Sequence, residues 1–181
     1  MSEQPQAGAV LLARPELLDP NFDTTVVLLC QHDASGSFGV ILNRPIQNLS
    51  PAKMLPEADW AKEVPQSVFW GGPVQETRMH ALHAAPPTGN DALLVLPEMS
   101  FGGDLPALAR FHADGHAIRL FMGYSGWDSG QLQSEIDLGV WATTATTARF
   151  IWDTPPDQLW RRLIGQADPQ YQWLDADPEC N

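Results

Sequence analysis

Ser125 is the first residue of this chain to test for chemistry. It stands in Gly123-Tyr124-Ser125-Gly126, between the apolar run Leu120-Phe121-Met122 and a short amphipathic helix, the place a nucleophilic serine on a strand-to-helix turn would occupy. The pattern breaks one position later. Trp127 stands where a second glycine is needed, and no histidine lies nearby in the sequence to take the proton. A small hydrolase using Ser125 or a histidine-carboxylate pair is therefore the alternative reading; the simpler one is a tight turn whose small residues let Tyr124 and Trp127 pack.

The histidines give no metal set. His80 and His83, three apart on an expected strand, point to opposite faces, and His112 and His116 straddle the turn Asp114-Gly115. Cys30 and His32 share a strand face, yet two ligands leave a zinc site incomplete. Neither a metal nor another cofactor is expected.

Glycine turns are better candidates for binding. Gly71-Gly72-Pro73 and Gly102-Gly103-Asp104 can present backbone amides, and the second opens a helix, although Asp104 is placed to occupy that cap itself. A binding face is expected where strand ends and turns converge: Asn43, Arg44, Gly71, Gly72, Tyr124, Trp127 and Gln131. The competing reading is that these residues close a compact barrel.

The elements that must position them follow from pattern. Leu120 to Trp141 reads as a strand, a turn of small residues and a helix, with Asp128 as N-cap, Gln131 reaching back to it, Trp127 and Leu132 as a hydrophobic staple, and Gly139 as the stop. Thr25 to His32 is apolar without alternation, the pattern of a strand covered on both faces. A five-residue loop, Asp33 to Ser37, joins it to Phe38–Asn43, where Gly39 signals a bulge or a close backbone approach. Further strands are expected at 9–13, 67–70, 79–84, 93–96, 117–122 and 141–147, with Arg149 to Trp152 as a further strand or the continuation of the last. Between Asn48 and Glu63 the prolines allow only one or two helical turns. Helices are expected from Leu105 to about His112 and after Thr154-Pro155, with Thr154 as cap and Gly165 as stop.

At 181 residues and 44% hydrophobic content, the chain reads as one domain over 1–181, with a loose N-terminus at 1–8 and an acidic tail from about 166 to 181. A net charge of −12 repels phosphate backbones, which argues against direct DNA binding. Two cysteines are too few for a disulfide framework, and no run reaches the ~20 apolar residues of a membrane span, so a cytosolic protein is expected.

Six segments together resemble the YqgE/AlgH family of small bacterial proteins. They are Arg14-Pro15 with Asp19-Pro20-Asn21-Phe22; Val26 to His32; Gly39 to Pro45; Trp70-Gly71-Gly72-Pro73-Val74; Gly123 to Trp127 with Gly130-Gln131-Leu132 and Glu135-Ile136; and Thr154-Pro155-Pro156 with Leu159-Trp160. The resemblance implies an α+β fold, a mixed and largely antiparallel sheet curled into a barrel-like core with peripheral helices, and a cytosolic location. It brings no catalytic residues with it, and it weakens Ser125 as a nucleophile because the family commonly has alanine there. One member's role as a transcriptional regulator implies an indirect part in transcription. The chain is thus expected to be a non-enzymatic regulatory or interaction protein that binds a protein partner or a small ligand.

Overall fold

The computed structural model describes residues 4–16, 19–20 and 22–174. Nine strands form one sheet: β1 (Val10–Ala13), β2 (Val26–Asp33), β3 (Gly36–Ile41), β4 (Phe69–Trp70), β5 (Val74–His83), β6 (Leu93–Leu96), β7 (Met99–Phe101), β8 (Ile118–Asp128) and β9 (Trp141–Thr144). The strand order is β6-β7-β5-β8-β3-β2-β1-β9, with the short β4 pairing β8 in the only parallel contact among the described residues. The fold is α+β, and the sheet is largely antiparallel and curled but not closed, so β6 and β9 remain as edges. The helices are α1 (Pro51–Met54), α2 (Leu105–Ala113), α3 (Gln131–Asp137), α4 (Ala148–Asp153) and α5 (Pro156–Ala167), with 3-10 turns at Asp59–Glu63 and Pro169–Leu174.

Period-two alternation distributes the apolar strands between two faces. Val10, Leu12, Val26, Leu28, Val40 and Phe121 join Leu159, Leu163 and Ile164 of α5 in one core. Leu11, Val27, Leu29, Ile41 and Trp127 face the other way onto Leu132 of α3, and Ala81, Ile118 and Leu120 face Leu108 and Phe111 of α2. Both faces of β2 are buried, hence its unbroken apolar run.

Several local expectations shift. The β2–β3 connection is tighter than five residues: only Ala34 and Ser35 lie outside the strands, and the Asp33 carboxylate accepts from the Ser35 backbone N–H at 2.8 Å. Gly39 does mark a close approach, since a Cβ there would stand 2.4 Å from the Leu28 carbonyl, and the ladder breaks opposite it at Cys30. The Gly123–Gly126 stretch is not a turn but the middle of β8, an 11-residue strand held by β5 on one side and β3 on the other. The turn comes at Ser129-Gly130, and left-handed Gly130 (φ 77°), not Asp128, is the N-cap of α3. Gln131 nevertheless reaches back, its Oε1 accepting the Asp128 N–H at 3.0 Å.

Residues 148–153 form a helix instead of a strand, because the Thr147 hydroxyl caps it by accepting the Phe150 N–H. That helix ends at Thr154, so α5 starts one residue late, with Pro155 at the N-cap and Pro156 at the first position. Gly165 does not stop α5: it is buried within it, and a Cβ there would lie 3.1 Å from Gln172 Cα, so its bareness lets the 3-10 turn dock.

Gln166 to Leu174 is therefore packed, not tail. Tyr171 is buried and donates to Glu16 at 2.9 Å, while Arg14 pairs with Asp168. The remainder of the expected tail, with Cys180, lies outside the described residues. At the other end Pro5 and Gly8 are buried, and the Gly8 N–H donates to the Leu29 carbonyl at 2.8 Å, so the described part of 1–8 is tied to the sheet. No helix among the described residues is long and apolar enough to cross a membrane.

Candidate functional site

Where β3, β5 and β8 run side by side, the sheet opens into a cleft of about 640 Å³. Its floor is a closed circuit of four side-chain rings. Phe38 meets Phe101 edge-on at 5.3 Å, Phe101 stacks on His80 at 5.4 Å, His80 meets Tyr124 edge-on at 5.8 Å, and Tyr124 returns to Phe38 at 6.0 Å. Offset and edge-to-face ring pairs of this kind are each worth about 0.5–1.5 kcal/mol beyond their burial, so the floor is preorganised.

Alternation along β8 sends Tyr124 to the cleft and Ser125 to the opposite face. Above the floor, the β5 ladder breaks: Val74 pairs Tyr124, yet the next paired residue is Met79, so Gln75 to Arg78 bulge out. Gln75 takes a left-handed conformation (φ 48°) that a non-glycine residue rarely adopts. The bulge aims Gln75 and the exposed Arg78 at the cleft rim, across from Gln31, Ser37 and Asp128.

The polar groups here are underused. Arg78 and the Tyr124 hydroxyl have no hydrogen-bond or ion-pair partner among the described residues, and His80 Nε2 is buried without one. Burial, reinforced by the neighbouring Arg78 charge, holds the His80 pKa below its ordinary value, so the ring is neutral at pH 7. The stability tied to that neutrality is complete above about pH 6.5 and declines as pH falls toward the folded-state pKa. A histidine NMR titration of the Arg78→Ala variant should show the His80 midpoint moving up toward that of an unperturbed ring; an unchanged midpoint would remove Arg78 from the cleft's electrostatics.

The residues expected to converge do so only in part. Asn43 is spent on the backbone at the start of β2, with Oδ1 accepting the Val26 N–H and Nδ2 donating to the Thr24 carbonyl, both at 2.9 Å. Arg44 donates to the carbonyls of Asp23 (2.7 Å) and Pro20 (3.1 Å) and lies over Trp70. Gly71 and Gly72 pass so close to Gly123 and Tyr124 that a Cβ on either would sit 2.3 Å from a carbonyl oxygen. The buried Ser125 hydroxyl donates to the Gly71 carbonyl at 3.1 Å, with no histidine bonded to it among the described residues.

Trp127 and Gln131 do meet, through Glu135, a residue of the family-matching segments that was not expected at the site. One Glu135 oxygen accepts from the indole nitrogens of Trp127 (2.9 Å) and Trp141 (2.8 Å), and the other accepts from Gln131 Nε2 (3.0 Å). Tyr124 and Trp127 border the cleft. His80 and His83 face apart, His80 onto the cleft rings and His83 onto Phe111 at 4.4 Å. Asp104 caps α2, its carboxylate accepting the Ala107 N–H at 2.8 Å.

The cleft residues missed from the sequence are Phe38, Arg78, His80 and Phe101. The one available signal was the polar run Gln75-Glu76-Thr77-Arg78, which interrupts a strand where alternation should continue.

The AlgH-like family profile matches residues 10–172, nearly the whole described chain. The chain belongs to the AlgH-like family. A UPF0301 protein of Chlorobaculum tepidum is 33% identical over 176 residues, covering 95% of this chain and 92% of its own. A UPF0301 protein of Chlamydia caviae is also 33% identical over 176 residues, covering 96% of this chain and 93% of its own. The solution structure of AlgH from Pseudomonas aeruginosa superposes with a TM-score of 0.75 at 26% identity, covering 98% of each chain. Protein DIP2367 of Corynebacterium diphtheriae shares the fold, with a TM-score of 0.78 at 19% identity and coverage of 97% and 94%. The curled sheet and flanking helices are thus those of the AlgH-like proteins.

Proposed function

We propose that this AlgH-like chain works by binding, not by breaking bonds, and that its ligand is a small ring-bearing molecule with an acidic group, held in the cleft among β3, β5 and β8. The observation that carries this reading is the four-ring floor beside two donors, the exposed Arg78 and the Tyr124 hydroxyl, that make no hydrogen bond or ion pair among the described residues. A flat ligand stacks on one of the two near-perpendicular rings Phe38 and Tyr124 and meets the other edge-on, and its acidic group meets the Arg78 guanidinium as a charge-assisted pair. Neutral His80 contributes a ring face and no competing charge.

In a cytosolic setting such a protein serves as a ligand-responsive regulator, acting on transcription indirectly through a protein partner. The net charge of −12 supports that indirect route, because it opposes a grip on nucleic acid.

A thermal-shift screen of aromatic acids and nucleotides tests the reading. Hits should share a ring and an acidic group, and Arg78→Ala should weaken them about tenfold, the loss of roughly 1.4 kcal/mol. Hits that bind Arg78→Ala and Tyr124→Ala as tightly as the native chain would place the ligand elsewhere and end the proposal.

A further inference from the structure

We propose that Arg119 anchors a second site, separate from the aromatic cleft, that takes the carboxylate of a small organic acid. Arg119 lies on β8 opposite Leu82 of β5, and only 1% of it is exposed. Its guanidinium carbon lies 5.2 Å from the Phe69 ring centre and 5.4 Å from that of Trp152, a cation over two ring faces. Its Nε donates to Gln66 Oε1 at 3.0 Å. Nη1 and Nη2 have no acceptor among the described residues, nor does the buried Nε1 of Trp152.

Apart from the Gln66 amide oxygen, the local inventory is donors with no counter-ion. Burial draws the Arg119 pKa down to about 10, which still leaves it charged at neutral pH. A buried charge held only by ring faces and one neutral amide is costly, and a carboxylate relieves that cost better than any uncharged acceptor.

Gln66 and Trp152, the two polar neighbours of the guanidinium, also line an open cleft of about 400 Å³. The cleft carries two exposed acids, Glu63, 3.2 Å from His112 Nε2, and Asp153, 3.3 Å from Arg149, and neither pairs with Arg119 among the described residues. The half-buried Gln66 lines the cleft and its amide oxygen accepts from Arg119 Nε, so it links the cleft to the buried cation, which does not itself border the cleft. When its flexible side chain swings aside, a ligand carboxylate can take its position and reach the free Nη edge.

Shape selects the ligand class. A planar guanidinium whose two Nη groups are both free matches the two oxygens of a flat carboxylate. A monoanion also balances a single buried cation without leaving excess charge.

The experiment is an amide and side-chain NMR titration of the full chain with sodium acetate, which carries no ring and so does not test the aromatic cleft. Sodium chloride at matched ionic strength and inorganic phosphate are the comparison arms. Acetate should shift the Arg119 Nε–H and Trp152 indole resonances saturably, with a dissociation constant in the millimolar range. Gln66→Ala, which removes the competitor, should bind acetate several-fold more tightly. Gln66→Glu supplies the carboxylate from within the chain: it should raise the melting temperature and abolish the acetate response. Arg119→Met should fold and give no response, and if it does not fold the two Gln66 variants decide the matter. Shifts no larger than those from chloride, an undiminished response in Gln66→Glu, or a stronger response to phosphate than to acetate would each overturn the site.

Discussion

Gly123→Ala should destabilise the protein by about 3–5 kcal/mol, the largest loss expected from one added methyl group, because two independent penalties fall on the same atom. Gly123 sits in β8 at φ 73°, a conformation that strains any residue with a Cβ. The added Cβ would also lie 2.3 Å from the Gly72 carbonyl oxygen, inside van der Waals contact with a backbone that has its own close approach to Tyr124. Neither strand can retreat, since the Gly71 N–H donates to the Met122 carbonyl at 2.8 Å and the Ile41 N–H donates to the Gly71 carbonyl at 3.0 Å.

Two controls separate the penalties. Gly71→Ala keeps ordinary backbone angles but places its Cβ 2.3 Å from the Gly123 carbonyl oxygen, so it reads the steric part. Gly130→Ala has φ 77° and nothing within 4 Å, so it reads the conformational part, about 1–2 kcal/mol. Urea midpoints at constant slope give all three. If Gly123→Ala matched Gly130→Ala, the strand crossing would not be as tight as described. The crossing matters for function because it sets Tyr124 into the cleft floor.

The second large effect is expected at Glu135, whose replacement by alanine should cost about 3–4 kcal/mol, since hydrogen bonds to a charged acceptor are worth about 1.5–3 kcal/mol each. Its Oε2 serves two indole donors, and both rings are nearly buried, Trp127 at 7% and Trp141 at 2% exposure. Removing the acceptor leaves two N–H groups with poor access to water. Glu135→Gln keeps an acceptor oxygen and should lose well under half as much. Tryptophan fluorescence during urea unfolding measures both, and a double-mutant cycle with Trp127→Phe isolates the shared bond. A Glu135→Ala loss below about 1 kcal/mol would mean that water, not Glu135, satisfies the indoles.

Glu135 also illustrates what could be read in advance. The staple of Trp127 on Leu132 expected from an Asp128 cap does not hold, because Gly130 is the N-cap and Trp127 lies in β8, yet the two residues do fall in one core. That an acid seven residues beyond Asp128 would receive two indoles was not legible, because Trp141 approaches only after β9 has paired with β1. The 148–153 segment shows the reverse error. Its β-rich composition points to a strand, yet the Thr147 cap starts a helix there. The aromatic cleft was illegible for a similar reason: Phe38, His80, Phe101 and Tyr124 come from four strands, and no local pattern joins them.

By itself the sequence determined the apolar strands, the hairpin between 26 and 41, the capped start of α2, the acidity that disfavours nucleic acid, and the segments that mark the AlgH-like family. These are carried by short-range spacing, backbone propensity and net charge, which need no partner from elsewhere in the chain. Tertiary structure alone decided that Gly123–Gly126 is strand and not turn, that Asn43 and Arg44 hold the backbone at Pro20, Asp23, Thr24 and Val26, and that Arg119 is buried without a counter-ion. Each depends on which backbone lies beside which, and sheet pairing between residues dozens of positions apart leaves no local trace in composition or period.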